Sequence, residues 1–453
     1  MNSLRDSPKL RLLHLAETYP PDYGGGAAIV IQDLCRSLAD RGHEVRVLCV
    51  ENADREPYTA RVDWDGEVRV DRVNLPYFKT EDPDGWRLGL LAWRRHERRV
   101  ARLLEWHLTA WKPDLVHYHT TRPFGEEGLI AIHRRGIPLI GMLHEAWMIC
   151  PRLMLLRSPM AEPCAGPTPL GCLECVYSHY DGSRRRAAIK LPWRLLKLGI
   201  YPAYRVWRRK QARRSLEAAV ACSQFMARVH KPHIAGEVLG VRLGLPPILI
   251  THKGRPANRP LRFGFVAGFQ PHKGIWHVLD AAASLKKAGL AFELHIWGPA
   301  QEDSDREIAS RNLEDCVFLR GMYRSEEIWR VYSEIDVALM ATTVCEPFGR
   351  VPIEAASVGV PTIAPAVGGI TESIRDDVDG LLYTFRDSDD LKRQMQRVLE
   401  EKGLVERLVE GLQPPPEVES MAVAIEEFYL STLGRARQSA FGREEPLRQV
   451  AHQ

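Results

Sequence analysis

Short apolar runs alternate with amphipathic stretches along most of the chain. Leu10–Leu15 (LRLLHL) reads as a strand, Tyr23-Gly24-Gly25-Gly26 as a glycine-rich turn, and Ala27–Asp40 (AAIVIQDLCRSLAD) as a helix with apolar residues at helical spacing. Gly42 ends that helix and Val45–Val50 is a second strand. Strand, loop, helix and strand in succession form the unit of a parallel sheet. Leu115–His119, Pro138–Leu143 and Ala218–Cys222 read as further strands of it. The polar stretch Thr251–Pro260 (THKGRPANRP) breaks the pattern and reads as a linker. A second series follows: Arg262–Val266, Phe292–Trp297, Val317–Leu319, Val337–Met340 and Pro361–Ala364, each with a helical pattern after it. Two such halves, 1–250 and 261–415, predict an α/β chain of two doubly wound, Rossmann-like domains facing across a cleft. Pro414-Pro415-Pro416 precedes a final amphipathic helix, 416–434, expected to pack back on the N-terminal domain, and 435–453 reads as a loose tail.

Composition agrees with a globular chain: 453 residues, 45% hydrophobic and 26% charged, too long for one ordinary core. The longest uncharged run, Ala355–Thr371, carries two prolines and three glycines, which argues against a spanning helix. The N-terminus shows no long apolar region or small-residue cleavage site, so the expected location is the cytoplasm, with room for a peripheral position at the inner membrane face. The net charge of +4 is unevenly placed. Residues 1–250 hold 38 Lys/Arg against 27 Asp/Glu, whereas 251–453 hold 24 against 31. Twelve basic residues and no acidic one lie between Arg184 and Arg214, interleaved with Trp193, Tyr201, Tyr204 and Trp207. Basic plus aromatic suggests an anionic membrane surface as partner, against the plainer alternative of a solvated helix face. No nucleic-acid recognition module is visible, so nucleic acid is not expected.

Of the nine cysteines, four cluster as Cys150-x13-Cys164-x7-Cys172-x2-Cys175. A Cys-x2-Cys pair with two more thiols nearby fits a closed tetrahedral zinc site that would order a proline- and glycine-rich loop. Free thiols shaping a pocket are the alternative. The strongest chemical signal is Glu346-Pro-Phe-Gly-Arg-Val-Pro-Ile-Glu354, at a predicted strand end and entering a helix. Two carboxylates there can read sugar and ribose hydroxyls while helix-start N–H groups hold phosphate. Read alone, this segment fits helix electrostatics equally well.

The Glu-x7-Glu spacing, Val360-Pro361-Thr362-Ile363-Ala364, Gly368-Gly369 with Glu372, and Asp379-Gly380-Leu381-Leu382 resemble the donor-binding region of retaining GT-B glycosyltransferases of family 4. Gly24-Gly25-Gly26 and His144-Glu145-Ala146-Trp147 match the N-terminal half of that family, and the resemblance covers roughly residues 10–433. It implies a GT-B fold and transfer of a sugar from a UDP- or GDP-sugar to a glycan or lipid-linked acceptor, with no cofactor required for the chemistry. It implies that Glu354 binds the nucleotide ribose and that Glu346 contacts the transferred sugar, near the Phe348-Gly349-Arg350 backbone. Lys273 would neutralise the leaving diphosphate, His144 would lie near the sugar, and Gly25 and Gly26 would let backbone approach the donor. The family often carries an arginine a few residues before the lysine; Gly268 stands there, with Arg350 or His272 as possible substitutes. A sugar-phosphate synthase or phosphorylase of the same fold, or a non-catalytic scaffold, are the alternatives. His117 and His119 alternate on a strand, so one is expected toward the cleft and the other in packing.

Overall fold

The computed structural model describes residues 8–22, 25–51, 56–75, 89–120, 123–157, 162–164, 166–179, 201–247, 259–324 and 327–450. The chain divides into two units, one of 1–244 with 418–453 and one of 245–417. The stretch 251–258 of the expected linker lies outside the described residues.

In the first unit an eight-stranded sheet runs in the order β10-β9-β6-β5-β1-β2-β4-β3. Its strands are β1 (Arg11–Leu15), β2 (Glu44–Glu51), β3 (Ala60–Asp65), β4 (Val68–Asn74), β5 (Leu115–Tyr118), β6 (Leu139–Leu143), β9 (Ala218–Ala221) and β10 (Glu237–Gly240). A separate two-stranded ribbon joins β7 (Leu156–Arg157) and β8 (Glu162–Pro163). All neighbours in the large sheet are parallel except β3 with β4. β5, β6 and β9 are buried along their whole length, as helices on both faces require. The strands β3 and β4 escape a reading of apolar runs because charge interrupts them. Asp71 and Arg72 are each 1% exposed, and Arg72 donates to the Tyr19 carbonyl at 2.8 Å and to Asp63 at 3.2 Å.

The C-terminal helix Val418–Val450 belongs to this unit and runs through Gly434, past the point where the sequence suggested a loose tail. Met421, Ala422, Ile425 and Tyr429 are buried, the spacing of one helical stripe. Its polar anchors grip the helix Gly26–Asp40 and the turn after it: Glu419 accepts from Ser37 at 2.6 Å, and Glu426 pairs with Arg41 and, at 3.0 Å, with His43.

The second unit holds a six-stranded parallel sheet in the order β13-β12-β11-β14-β15-β16. These are β11 (Leu261–Val266), β12 (Phe292–Trp297), β13 (Val317–Gly321), β14 (Val337–Leu339), β15 (Thr362–Pro365) and β16 (Gly380–Tyr383). Phe263, Phe265, Ile275, Leu279, Leu294 and Leu391 form its core between sheet and helices. The chain enters and leaves this unit side by side: Leu245 bridges Glu417, and its N–H donates to Pro416 at 2.9 Å. No helix among the described residues is long and apolar enough to cross a membrane.

Candidate active site

In the second sheet the chain proceeds from β11 to β12 and β13 on one side, then returns to β14 on the other. Loops after β11 and β14 therefore flank a topological switch point, where open α/β sheets bind ligands. Lys273 ends the turn Pro271–Lys273 in the first loop, and Glu346 lies in the second. The loops touch because Gly274 has φ +76; a Cβ there would lie 1.8 Å from the Ala341 carbonyl oxygen. Thr343 N–H donates to the His272 carbonyl at 2.9 Å, and the Thr342 and Thr343 hydroxyls donate to it at 3.2 and 3.3 Å. Lys273 Nζ then donates to Glu346 Oε1 at 3.0 Å. Behind Glu346, Gly369 N–H donates to its carbonyl at 3.0 Å. A Cβ on Gly368 or Gly369 would lie 2.1 Å from the carbonyl oxygen of Glu346 or Pro347. The glutamate backbone is thus fixed from two sides.

Gly349, at φ 78, turns the chain into the helix Arg350–Ser357, with Pro352 in its first turn and Phe348 buried beside it. Glu354 accepts from Arg350 Nε at 2.8 Å and from the Tyr332 hydroxyl at 3.1 Å. Each expected carboxylate thus sits with a cation, Glu346 with Lys273 and Glu354 with Arg350. Both carboxylate side chains are only 13% exposed. Tyr332 was not singled out by sequence; its partner role follows from the helix turn that faces it. Arg350 is committed to Glu354. Gly268 cannot carry an arginine on this backbone: its φ is +64 and a Cβ would lie 2.5 Å from the Pro299 carbonyl oxygen. Burial and then the Lys273 charge hold the His272 imidazole below its ordinary pKa, against the pull of Glu346. Burial and then Glu346 push the Cys345 thiol up to about 11, so it stays protonated.

In the first unit the switch point lies between β1 and β5. His14 and His117 are register partners across these strands. His119 lies two residues on, just past β5, and His144 follows β6. A period of two places His117 and His119 on one side. Both therefore converge with His14, rather than dividing between cleft and packing as the sequence suggested. His14 Nδ1 is 3.0 Å from His119 Nε2, and His119 Nδ1 is 3.1 Å from His144 Nε2. The Tyr429 hydroxyl is 2.5 Å from His117 Nδ1. Burial pushes His14 down to about 3 and His144 to about 4, and holds His117 and His119 well below the ordinary value. His14 and Tyr429 were missed because a histidine inside an apolar run and a tyrosine on a distant helix carry no local signal. Gly25, at φ 83, precedes Gly26, the exposed first residue of the helix Gly26–Asp40. Gly24 lies outside the described residues.

Cys150, Cys164, Cys172 and Cys175 line one cavity of about 30 Å³, with Arg152 and Arg157. Cys164 Sγ donates to the Gly166 carbonyl at 3.4 Å, and none of the four is in a disulfide. Their sulfurs do not form a group within 4.8 Å; among the described residues His14, His117 and His119 do. Most of the basic segment, 180–200, lies outside the described residues. In the helix Tyr201–Arg213, several cations turn inward. Arg208 pairs with Glu127, Arg209 donates to the Cys150 carbonyl at 2.8 Å and pairs with Glu126, and Arg213 donates to the Met148 carbonyl at 3.2 Å. Trp207 is 53% exposed.

Two family descriptions match in succession: Glycosyltransferase Family 4 over residues 24–235 and Glycosyl transferases group 1 over 250–413. The amylovoran biosynthesis glycosyltransferase AmsK of Erwinia amylovora is 33% identical over 35% of this chain and 40% of its own length. The chain spans 38–41% of the length of several such curated relatives. The MMP alpha-(1->4)-mannosyltransferase of Mycolicibacterium hassiacum is 23% identical over 85% of this chain and 88% of its own. Among solved structures, sucrose-phosphate synthase from Thermosynechococcus elongatus superposes with a TM-score of 0.69 at 17% identity, over 94% of this chain and 100% of that one. HepE of Anabaena, in complex with UDP-glucose, superposes with a TM-score of 0.56 at 18% identity, over the same shares. Two parallel-sheet units, glycine-shaped switch-point loops and two consecutive family matches lead to one assignment: the chain belongs to the family 4-type glycosyltransferases of the GT-B fold.

Proposed function

We propose that this protein is a retaining glycosyltransferase that moves a sugar from a UDP- or GDP-sugar to a glycan or lipid-linked acceptor in cell-surface polysaccharide or glycolipid synthesis. The observation that carries the reading is the Lys273–Glu346 pair at the switch point of the second sheet. Glu354, already accepting two hydrogen bonds, is placed to accept ribose hydroxyls as well. Glu346 contacts the transferred sugar beside the Phe348-Gly349-Arg350 backbone. Lys273 receives the diphosphate: its ammonium exchanges the Glu346 carboxylate for phosphate oxygens, and this frees Glu346 to accept sugar hydroxyls. In the transfer, the bond from the sugar C1 to the diphosphate oxygen breaks. The acceptor oxygen bonds to C1 on the same face, and its proton passes to the departing diphosphate. No protein nucleophile is required; catalysis is positioning and charge stabilisation. HepE's complex with UDP-glucose supports a UDP donor.

For the acceptor side we propose His144 near the sugar, a structural zinc held by Cys150, Cys164, Cys172 and Cys175, and contact of 184–214 with an anionic membrane surface. The inward-tied Arg208, Arg209 and Arg213 leave that contact to the remaining basic residues. The test is nucleotide release from a panel of UDP- and GDP-sugars. Release above background that Glu354→Ala abolishes supports the reading. No turnover with any donor, together with undiminished nucleotide binding by Glu354→Ala, would sink it.

A further inference from the structure

Three imidazoles in the first unit form a chain that ends at the residue proposed to meet the sugar. His14 is fully buried, His119 is 2% exposed, and His144 is half-buried. The two contacts in series are 3.0 and 3.1 Å, with successive rings stacked at 21°. Each neutral imidazole has one N–H and one lone pair. Both hydrogen bonds form together only when the N–H groups all point the same way. If they point from His144 toward His14, the chain ends in an N–H at His14 Nε2. That atom is buried and has no partner. If they point the other way, His14 Nδ1–H donates to His119, and His119 Nδ1–H donates to His144 Nε2. What is stranded at His14 is then only a lone pair. Orphaned buried N–H groups are rare in folded proteins, so the second direction is the stable one.

We propose that His14 and His119 are positioning residues that hold His144 as its Nδ1–H tautomer, so that it donates a hydrogen bond to a sugar oxygen and does not act as a general base. The inference rests on the reading of His144 as a sugar-site residue. Burial, which pushes His144 down to about 4, keeps it neutral at physiological pH, so the direction of the chain persists. Nitrogens of His14, His117 and His119 also lie within 4.8 Å of one another, the spacing of a metal site. No carboxylate joins them, and the His14 and His119 nitrogens already face each other, which favours the hydrogen-bonded chain over a buried dication.

The test uses the full chain labelled with ¹⁵N-histidine, whose side-chain ¹⁵N–¹H correlations show which nitrogen carries the proton. The expected result is protonation of His144 at Nδ1. In His119→Phe, His144 populates both tautomers and kcat/KM for a nucleotide-sugar falls roughly two- to tenfold. His119→Asn, with an amide N–H near the Nδ1 place, recovers most of it. His144 protonated at Nε2 in the wild type overturns the proposal. So does an unchanged tautomer in folded His119→Phe, or a stoichiometric metal ion that His117→Ala releases. If the variants do not fold, the wild-type spectrum decides alone. An Nδ1–H His144 in a chain that turns over no nucleotide-sugar would sink the enzymatic reading and leave the relay; turnover with Nε2–H does the reverse.

Discussion

Lowering the pH from 7 to 5 should cost the first unit more stability than the second. The cause is histidine that folds neutral. A His whose folded pKa is depressed contributes stability that is complete above its unfolded value of 6.5 and is lost as the pH falls toward the folded value. His14 is pushed down to about 3 and His230 to about 4, both by burial, and both side chains are fully buried. At pH 5 the unfolded chain binds a proton at each site and the folded chain does not. The cost is about 1.4 kcal/mol per pH unit below 6.5, so about 2 kcal/mol for each histidine. Together this is about 4 kcal/mol against a typical stability of about 5–15 kcal/mol. His117 and His119 push in the same direction. Urea melts at pH 7, 6 and 5, followed by probes specific to each unit, measure the effect. His230 offers a clean control, since its Nδ1 donates to the Met226 carbonyl at 2.9 Å and it lies outside the proposed site. His230→Asn keeps an N–H at that place and removes the titration. It should recover about 2 kcal/mol of the acid loss. The reasoning is refuted if His230→Asn loses as much stability between pH 7 and 5 as the wild type does.

Three further outcomes are expected. Lys273→Ala should lower kcat about 100-fold, the usual size for a lost charge-stabilising group, with Lys273→Arg retaining part; equal rates in initial-velocity assays contradict the diphosphate role. Gly369→Ala drives a methyl to within 2.1 Å of the Pro347 carbonyl oxygen, so calorimetry should show the second unit about 1–3 kcal/mol less stable, while an unshifted Tm would mean that the loop yields freely. The cysteine site requires its four sulfurs to draw together around the ion, so metal analysis of purified protein decides it: one zinc per chain that Cys172→Ser loses supports the site, and absence of zinc and iron at any stoichiometry leaves free thiols.

The parallel strands were legible because burial on both faces makes them short, mostly apolar runs; Phe292–Trp297, with Glu293 and His295 as its polar residues, is placed to the residue. β3 and β4 were not, because Arg69, Asp71 and Arg72 are paired inside the fold, and pairing cannot be seen along a chain. The two carboxylates were legible as a motif, yet their partners were not. Lys273 meets Glu346 only because strands β11 and β14 are neighbours. For the family's missing arginine the sequence offered Arg350 or His272 as a substitute, and Arg350 is instead paired with Glu354. In the structure the absence is a backbone constraint at Gly268. The histidine chain was illegible for the same reason as the ion pairs: it joins β1, β5 and the end of β6, which lie far apart in sequence.

The pairing of Leu245 with Glu417 makes the second unit an insertion that leaves and rejoins its host at one seam. During synthesis, then, the order of completion is the reverse of the order of appearance. The second unit has all of its strands once residue 417 has emerged. The first, begun earlier, must wait for Val418–Val450, which brings Tyr429 to His117 and Glu426 to Arg41 and His43. A ribosome-bound chain whose residue 417 has just left the exit tunnel should hold a protease-resistant second unit and a protease-sensitive first one, and release of the last helix should be the step that completes the first.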